Sequence, residues 1–241
     1  MTILGLEKVN KRYGALVVAD NVDLALDEGE ALGVIGPNGA GKTTLFNLIG
    51  GRMRADSGTI SFGGRDITHL PAAKRCRMGI ARSFQIPHPF AGMTVFENVL
   101  VGAAFGRRIG ERAAYGQAVE ALEITGLRGR ANAVAGSLTL LERKRLEMAR
   151  ALAAGPRLLL LDEIAGGLTE HECRDLVAAI RRIRETGISI IWIEHIVHAL
   201  LAVVDRLAVI DFGSKIADGD PQSVIASPEV AEIYMGIEAD A

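Results

Sequence analysis

The octapeptide Gly36-Pro-Asn-Gly-Ala-Gly-Lys42-Thr43 constrains this chain more than any other stretch, because it matches the pattern G-x-x-x-x-G-K-[ST] throughout. It lies between an apolar strand-like run, Ala31 to Ile35, and a helix-like run, Thr44 to Ile49. That strand–loop–helix setting is what a phosphate-binding loop requires. Glycines at 36, 39 and 41 let the backbone curl so that successive N–H groups point inward. The helix that follows aims the positive end of its dipole at the same spot. Lys42 supplies a mobile cation for the β- and γ-phosphates, and the Thr43 hydroxyl is placed to ligate Mg²⁺. Gly36, Pro37, Asn38, Gly39, Ala40, Gly41, Lys42, Thr43 and the adjoining Thr44 are therefore candidate contacts for a nucleoside triphosphate.

The 241 residues suffice for one large domain or two joined lobes, and 49% apolar against 23% charged residues is ordinary for a globular protein. A net charge of −2 argues against a chain whose work is non-specific binding to nucleic-acid backbones, so no nucleic-acid partner is expected. Arg107, Arg108, Arg128 and Arg130 fit either a local basic patch or a solvated helical face. Cys76 and Cys173 have neither ligand spacing nor a disulfide framework; two reduced, small apolar residues of a cytosolic protein are expected. The N-terminal residues carry a charge too early for a signal peptide. No uncharged stretch approaches the ~20 residues of a membrane span. Membrane association is expected to come through a partner.

The first thirty residues read as antiparallel strands that turn near Tyr13-Gly14, with partial alternation through Val18, Val22, Leu24 and Leu26. A short strand is expected over Thr59–Phe62, and a short helix over Thr68–Arg77 with Pro71 near its start. From about residue 88, Ala, Arg, Glu and Leu dominate, and helices are expected over 95–104, 117–125 and 140–153. Short apolar runs at 157–161, 188–193 and 206–210 then read as strands of a parallel sheet buried on both faces. The expected architecture is α/β: a phosphate-loop NTPase core with a mainly parallel sheet, an N-terminal antiparallel β subdomain and an inserted helical subdomain. The core lobe would take residues 1–87 and 154–241, and the helical subdomain 88–153.

The run Leu158-Leu-Leu-Leu-Asp162-Glu163 is an apolar strand that ends in two adjacent carboxylates. Beside a phosphate loop, one carboxylate can hold Mg²⁺ while a second orients and deprotonates an attacking water. Asp162 suits the metal role and Glu163 that of the base. Taken alone, the pair would read as a solvated acidic turn.

In order and spacing these pieces resemble the ATP-binding subunit of an ATP-binding-cassette (ABC) transporter, over nearly the whole chain. The resemblance implies that Tyr13, in Lys-Arg-Tyr-Gly, stacks on adenine and that Val18 touches the base. It implies that Gln85, in Ser-Phe-Gln, reaches Mg²⁺ and senses the membrane domain, and that His195, in Ile-Glu-His, contacts the γ-phosphate. Singly, each has a plainer reading: a half-buried tyrosine, a surface glutamine, a strand-end histidine.

Sites of this family lie between two subunits, one closing a Leu-Ser-Gly-Gly-Gln signature on the other's nucleotide. Here the signature is irregular: Leu138-Thr139-Leu140-Leu141-Glu142. Thr139 keeps a hydroxyl, whereas Leu140 and Leu141 replace glycines and Glu142 replaces a neutral amide. Thr139 and Glu142 also have the spacing of a capping box. A weakened or altered clamp is expected, with the Glu142 carboxylate opposing a phosphate at the helix N-terminus. Ile164 stands where the family usually has proline after its catalytic glutamate, and Gly166-Gly-Leu-Thr169 where its D-loop ends in Asp.

The segment Gln85 to Leu100 and the end, Gly219 to Gly236, resemble the subclass that imports branched-chain amino acids. Importers of amides or urea share this style, and a soluble, non-transport ABC ATPase is a further alternative. The implied partners are a second ATPase subunit, identical or different, integral-membrane permeases and, indirectly, a substrate-binding protein. The implied place is the cytoplasmic face of the inner membrane. Ile86, Phe90, Met93 and Phe96 suit either a groove for a permease helix or packing within the helical lobe.

Overall fold

A computed structural model describes residues 1–107 and 109–235; Arg108 and Gly236 lie outside the described residues. The chain runs through β1 (Thr2–Tyr13), β2 (Leu16–Asp27), β3 (Ala31–Ile35), α1 (Lys42–Ile49), β4 (Ser57–Phe62) and β5 (Arg65–Asp66). It continues through α2 (Ala72–Met78), β6 (Ile80–Arg82), α3 (Val95–Arg107), α4 (Glu111–Ile124), α5 (Leu140–Ala153), β7 (Leu158–Asp162), α6 (Glu170–Glu185) and β8 (Ser189–Ile193). It ends with α7 (Val197–Leu201), β9 (Arg206–Asp211), β10 (Ser214–Gly219), α8 (Pro221–Ile225) and α9 (Pro228–Met235). Two compact units result: Met1–Ala72 with the chain from Ile191, and Ala73–Ile190.

In the first unit, alternation sets the antiparallel sheet. Leu4, Leu6 and Val9 of β1 are buried and face Leu26, Leu24 and Val22 of β2 across the ladder. β4 pairs on the other side of β1, placing Phe62 and Ile60 opposite Leu4 and Leu6. β3 is different in kind: all five of its residues are buried, and it runs parallel to β9, with Leu32 beside Arg206 and Ile35 beside Val209.

In the second unit, β6 runs parallel to β7, and every residue of β7 is buried. Helix α3 approaches α5 closely. A Cβ on Gly102 would lie 2.4 Å from the Arg150 carbonyl oxygen, and one on Gly106 2.5 Å from the Ala154 Cβ. Helix α6 starts with a capping box, Thr169 with Glu172, and buries Cys173, Leu176, Val177, Ile180 and Ile183 as one stripe.

The helix expected from Thr68 begins only at Ala72. Thr68 is held in a turn instead, its N–H and hydroxyl both donating to the Asp66 carboxylate at 2.8 and 2.6 Å. Strand β10 carries no apolar alternation, and all six residues are partly exposed, so periodicity could not announce it. Cys76 and Cys173 are free thiols, and burial pushes the Cys76 thiol up, against a smaller opposing effect of Arg77. Arg128 pairs with Glu123 and Arg130 with Glu142, which favours the solvated helical face over a basic patch. Among the described residues, no helix is long and apolar enough to cross a membrane.

Candidate nucleotide site

In the first unit, β3 delivers the chain into the loop from Gly36 to Gly41. A Cβ on Gly36 would lie 2.0 Å from the Ile210 carbonyl oxygen at the end of β9. One on Gly41, the N-cap of α1 with φ 102°, would lie 2.5 Å from the Val18 carbonyl oxygen. Both glycines are required because neighbouring backbone occupies the space a side chain would need. No side chain caps α1. Lys42 is buried, and its Nζ donates to the carbonyls of Gly36 and Pro37 at 2.7 and 2.9 Å, folding back over the loop. Pro37 and Thr44 are half-buried, Ala40 is buried, and Asn38, Gly39 and Thr43 are exposed.

A brace absent from the sequence reading holds this loop from outside. The turn between β9 and β10 donates from Gly213 N to Ala40 O at 2.8 Å and accepts at Gly213 O from Asp20 N at 2.9 Å. Tyr13 stands at the end of β1, 53% exposed, with its hydroxyl 3.3 Å from the Met53 sulfur and Lys11 Nζ 5.6 Å from its ring centroid. Val18 is half-buried, and its backbone abuts the loop at Gly41. His195 is exposed just beyond β8. Its backbone N–H donates at 2.9 Å to the carboxylate of Glu194, a residue only 1% exposed, also unforeseen. The Glu194 N–H in turn donates to Val34 O on β3 at 3.4 Å.

In the second unit, β7 ends at Asp162, which is buried, followed by half-buried Glu163. Glu163 takes a φ of 45°, a left-handed conformation that costs a non-glycine residue about 1–3 kcal/mol and recurs at functional sites. Arg82 Nη2 donates to Asp162 Oδ2 at 2.5 Å, and exposed Gln85 donates from Nε2 to Glu163 Oε2, also at 2.5 Å. Asp162 and Gln85 offer oxygen donors of the hard kind that Mg²⁺ accepts, as does Thr43 in the first unit. Mg²⁺ is commonly held by one or two carboxylates plus substrate phosphates. Among the described residues, no three His, Cys, Asp or Glu side chains cluster as a metal site.

The signature stretch lies in the same unit. Thr139 caps α5 in the expected capping box: its hydroxyl accepts from Glu142 N at 3.3 Å, and its N–H donates to Glu142 Oε2 at 2.9 Å. The other Glu142 oxygen accepts from Arg130 Nε at 3.0 Å, so its charge is partly answered locally rather than left to oppose an anion. Leu138 and Leu141 are buried, whereas Leu140 is 42% exposed. The Leu140 Cδ2 lies 3.3 Å from where a Cβ on Gly167 would stand. Thr169 is an N-cap, its hydroxyl donating to Glu172 Oε2 at 2.8 Å.

The ABC transporter family profile matches residues 19–166. The chain belongs to the ABC transporter family. It is that family's ATP-binding cassette, the ATPase. It is 36% identical to the "High-affinity branched-chain amino acid transport ATP-binding protein BraF" of Pseudomonas aeruginosa, over 97% of this chain and 98% of the relative. It is 34% identical to the LivG protein of the same description from Escherichia coli, again over 97% and 98%. Among solved structures, the ADP conformation of the ATP-binding cassette MJ1267 matches with a TM-score of 0.90 at 32% identity, covering 98% of this chain and 99% of that one. The α/β architecture expected from the sequence is thus the cassette fold.

In this cassette, the segment after Gln85 is gripped by the helix that the signature begins. The buried Glu147 carboxylate accepts from His88 N at 3.0 Å, and Arg150 donates to Glu147 at 2.8 Å and to His88 O at 3.0 Å. The Arg150 guanidinium also lies 5.0 Å from the Phe90 ring centroid. Ile86 is 65% and Phe90 46% exposed, whereas Met93 and Phe96 are half-buried, with Phe96 5.2 Å from the Tyr115 ring. Of the four groove candidates, the first two face solvent and the last belongs to the helical packing.

Proposed function

We propose that this cassette is the ATP-hydrolysing subunit of an importer for branched-chain or related hydrophobic amino acids. The observation that carries the reading is the glycine-bounded loop Gly36–Thr43, in a chain aligned end to end with amino-acid transport ATP-binding proteins. In this reading the loop N–H groups and Lys42 bind the phosphates, while Tyr13 and Val18 receive the adenine. Thr43, Asp162 and Gln85 would hold Mg²⁺, which when bound would neutralise phosphate charge. Glu163 accepts a proton from water as the water oxygen attacks the γ-phosphorus. The bond to the bridging oxygen breaks, and ADP departs with that electron pair. His195 donates toward the γ-phosphate. A second cassette supplies its own signature in trans, and permeases hold the pair at the cytoplasmic face of the inner membrane, fed by a substrate-binding protein.

Glu163→Gln keeps shape while removing the base. Hydrolysis in the assembled complex should fall by about 100-fold or more with ATP binding retained. Phosphate release at the original rate would remove Glu163 from that role. For the substrate, ATP hydrolysis by the cassette assembled with its permeases and binding protein should rise on adding leucine, isoleucine or valine. A rise with amides or urea alone would move the reading to that importer class.

A further inference from the structure

Arg82 occupies an unusual position for an arginine. It is the last residue of a three-residue strand, β6, whose other members are buried. It pairs in register with Leu160 of β7, the residue two before Asp162. Side chains two apart along a strand share a face and stand about 7 Å apart, a span that a guanidinium can cross. The Arg82 side chain does so: its Nη2 meets Asp162 Oδ2 at 2.5 Å, with side-chain exposures of 10% and 8%. The guanidinium also lies 5.5 Å from the Phe84 ring centroid, which further fixes its place. Three residues on, Gln85 holds Glu163. The stretch from 82 to 85 therefore grips both carboxylates on which the proposed chemistry depends.

A buried carboxylate without a counter-charge is costly, and an arginine cannot shed its proton to relieve the arrangement. Asp162 therefore carries a permanent monocation. A divalent cation arriving at the same carboxylate meets that positive charge at short range, in a place where water screens poorly.

We propose that Arg82 is a positioning residue, a resident counter-cation of Asp162 that sets how tightly the cassette's nucleotide complex holds its divalent metal. The proposal rests on the reading of Asp162 as a metal ligand. Arg82 keeps the Asp162 carboxylate in place at the end of β7. Its charge also weakens metal binding, so metal is held firmly only when nucleotide phosphates add their own negative charge. Loading is thereby tied to nucleotide.

The test is a Mn²⁺ titration of the full chain in saturating ADP, with free Mn²⁺ followed by electron paramagnetic resonance. Arg82→Met and Arg82→Gln, which remove the charge, should bind Mn²⁺ about tenfold more tightly than the unaltered chain, whereas Arg82→Lys should stay within about threefold. Asp162→Asn should weaken binding. If it does not, the reading of Asp162 fails. If it does, while both neutral Arg82 variants bind Mn²⁺ no more tightly than the parent, only the counter-cation proposal is overturned. Should neither neutral variant fold, the double variant Arg82→Met with Asp162→Asn decides: recovery of folding supports the charge balance, and failure to recover overturns it.

Discussion

In the proposed mechanism, the phosphate loop and the acidic end of β7 serve one chemistry, and they are built by opposite means. The loop is built from backbone. Gly36 and Gly41 leave space that neighbouring carbonyls fill, and even Lys42 rests on loop carbonyls. The strand end is built from side chains: Arg82 holds Asp162 through an ion pair and Gln85 holds Glu163 through an amide–carboxylate hydrogen bond, each of 2.5 Å. Backbone construction tolerates no added atoms but is indifferent to charge. Side-chain construction tolerates changes of shape, yet fails when one partner loses its charge. Substitutions should separate the two.

The largest effect on stability is expected at the side-chain end. Asp162→Ala removes the carboxylate that the largely buried Arg82 guanidinium pairs with, which should cost about 3–5 kcal/mol in chemical denaturation. Adding Arg82→Met should return much of that loss, because the penalty lies in removing one half of a buried ion pair. Equal and additive losses in the two single variants would break the comparison. At the backbone end, Gly36→Ala should cost roughly 3 kcal/mol, since its Cβ would stand 2.0 Å from Ile210 O and the loop must part from β9. No charge-changing second substitution should rescue it.

The signature divides between the two styles. Leu141, 8% exposed, belongs to the core, while Leu140, 42% exposed, rests against Gly167. Leu141→Gly should therefore destabilise the fold by about 3 kcal/mol, and Leu140→Gly by about 1 kcal/mol, chiefly through helix propensity. Restoring the family's glycines at both places would thus weaken the fold before any gain in clamping. Equal losses at the two positions would show that Leu140 is as deeply packed as Leu141.

What the sequence disclosed follows the same division. The loop and the α5 capping box were legible because their residues stand within a few positions of one another and the backbone dictates their types. Strand β7 and its terminal carboxylates were legible because an apolar run ends abruptly in charge. Arg82 was not, because its partner stands 80 residues away. The only local trace was an arginine closing the short apolar run Ile80-Ala81. Glu194 belongs to no motif, although a carboxylate directly after the apolar run Ile188–Ile193 is itself a local sign of burial. The Gly213 brace rests on backbone groups, which leave no mark in side-chain spacing. Helix α2 starts later than its sequence suggests because Asp66 captures Thr68 in a turn.

The smallest effects belong to carboxylates of helix caps and surface pairs, and they give the comparison its baseline. The Thr169 backbone N–H, and then its hydroxyl, hold Glu172 below the usual carboxylate range. Ser223 does the same for Asp220, and Thr94 for Glu97. Lys11, followed by the Arg12 N–H, lowers Asp56. A carboxylate whose pKa is depressed in the folded state stabilises it above the ordinary value near 4, and that stabilisation is lost as pH falls through the lower, folded value. Asp56, Glu97 and Asp220 are exposed and Glu172 is half-buried, so each contribution is small and the loss should be gradual rather than a single acid transition. Carbon-13 titration of the side-chain carboxyls checks the sign. Glu172 should titrate below an ordinary glutamate and move up toward it in Thr169→Ala, which removes the hydroxyl but keeps the backbone donor. If Glu172 stayed put in that variant, the backbone N–H alone would set its pKa. This cap would then belong with the phosphate loop, fixed by main chain, rather than with the strand end.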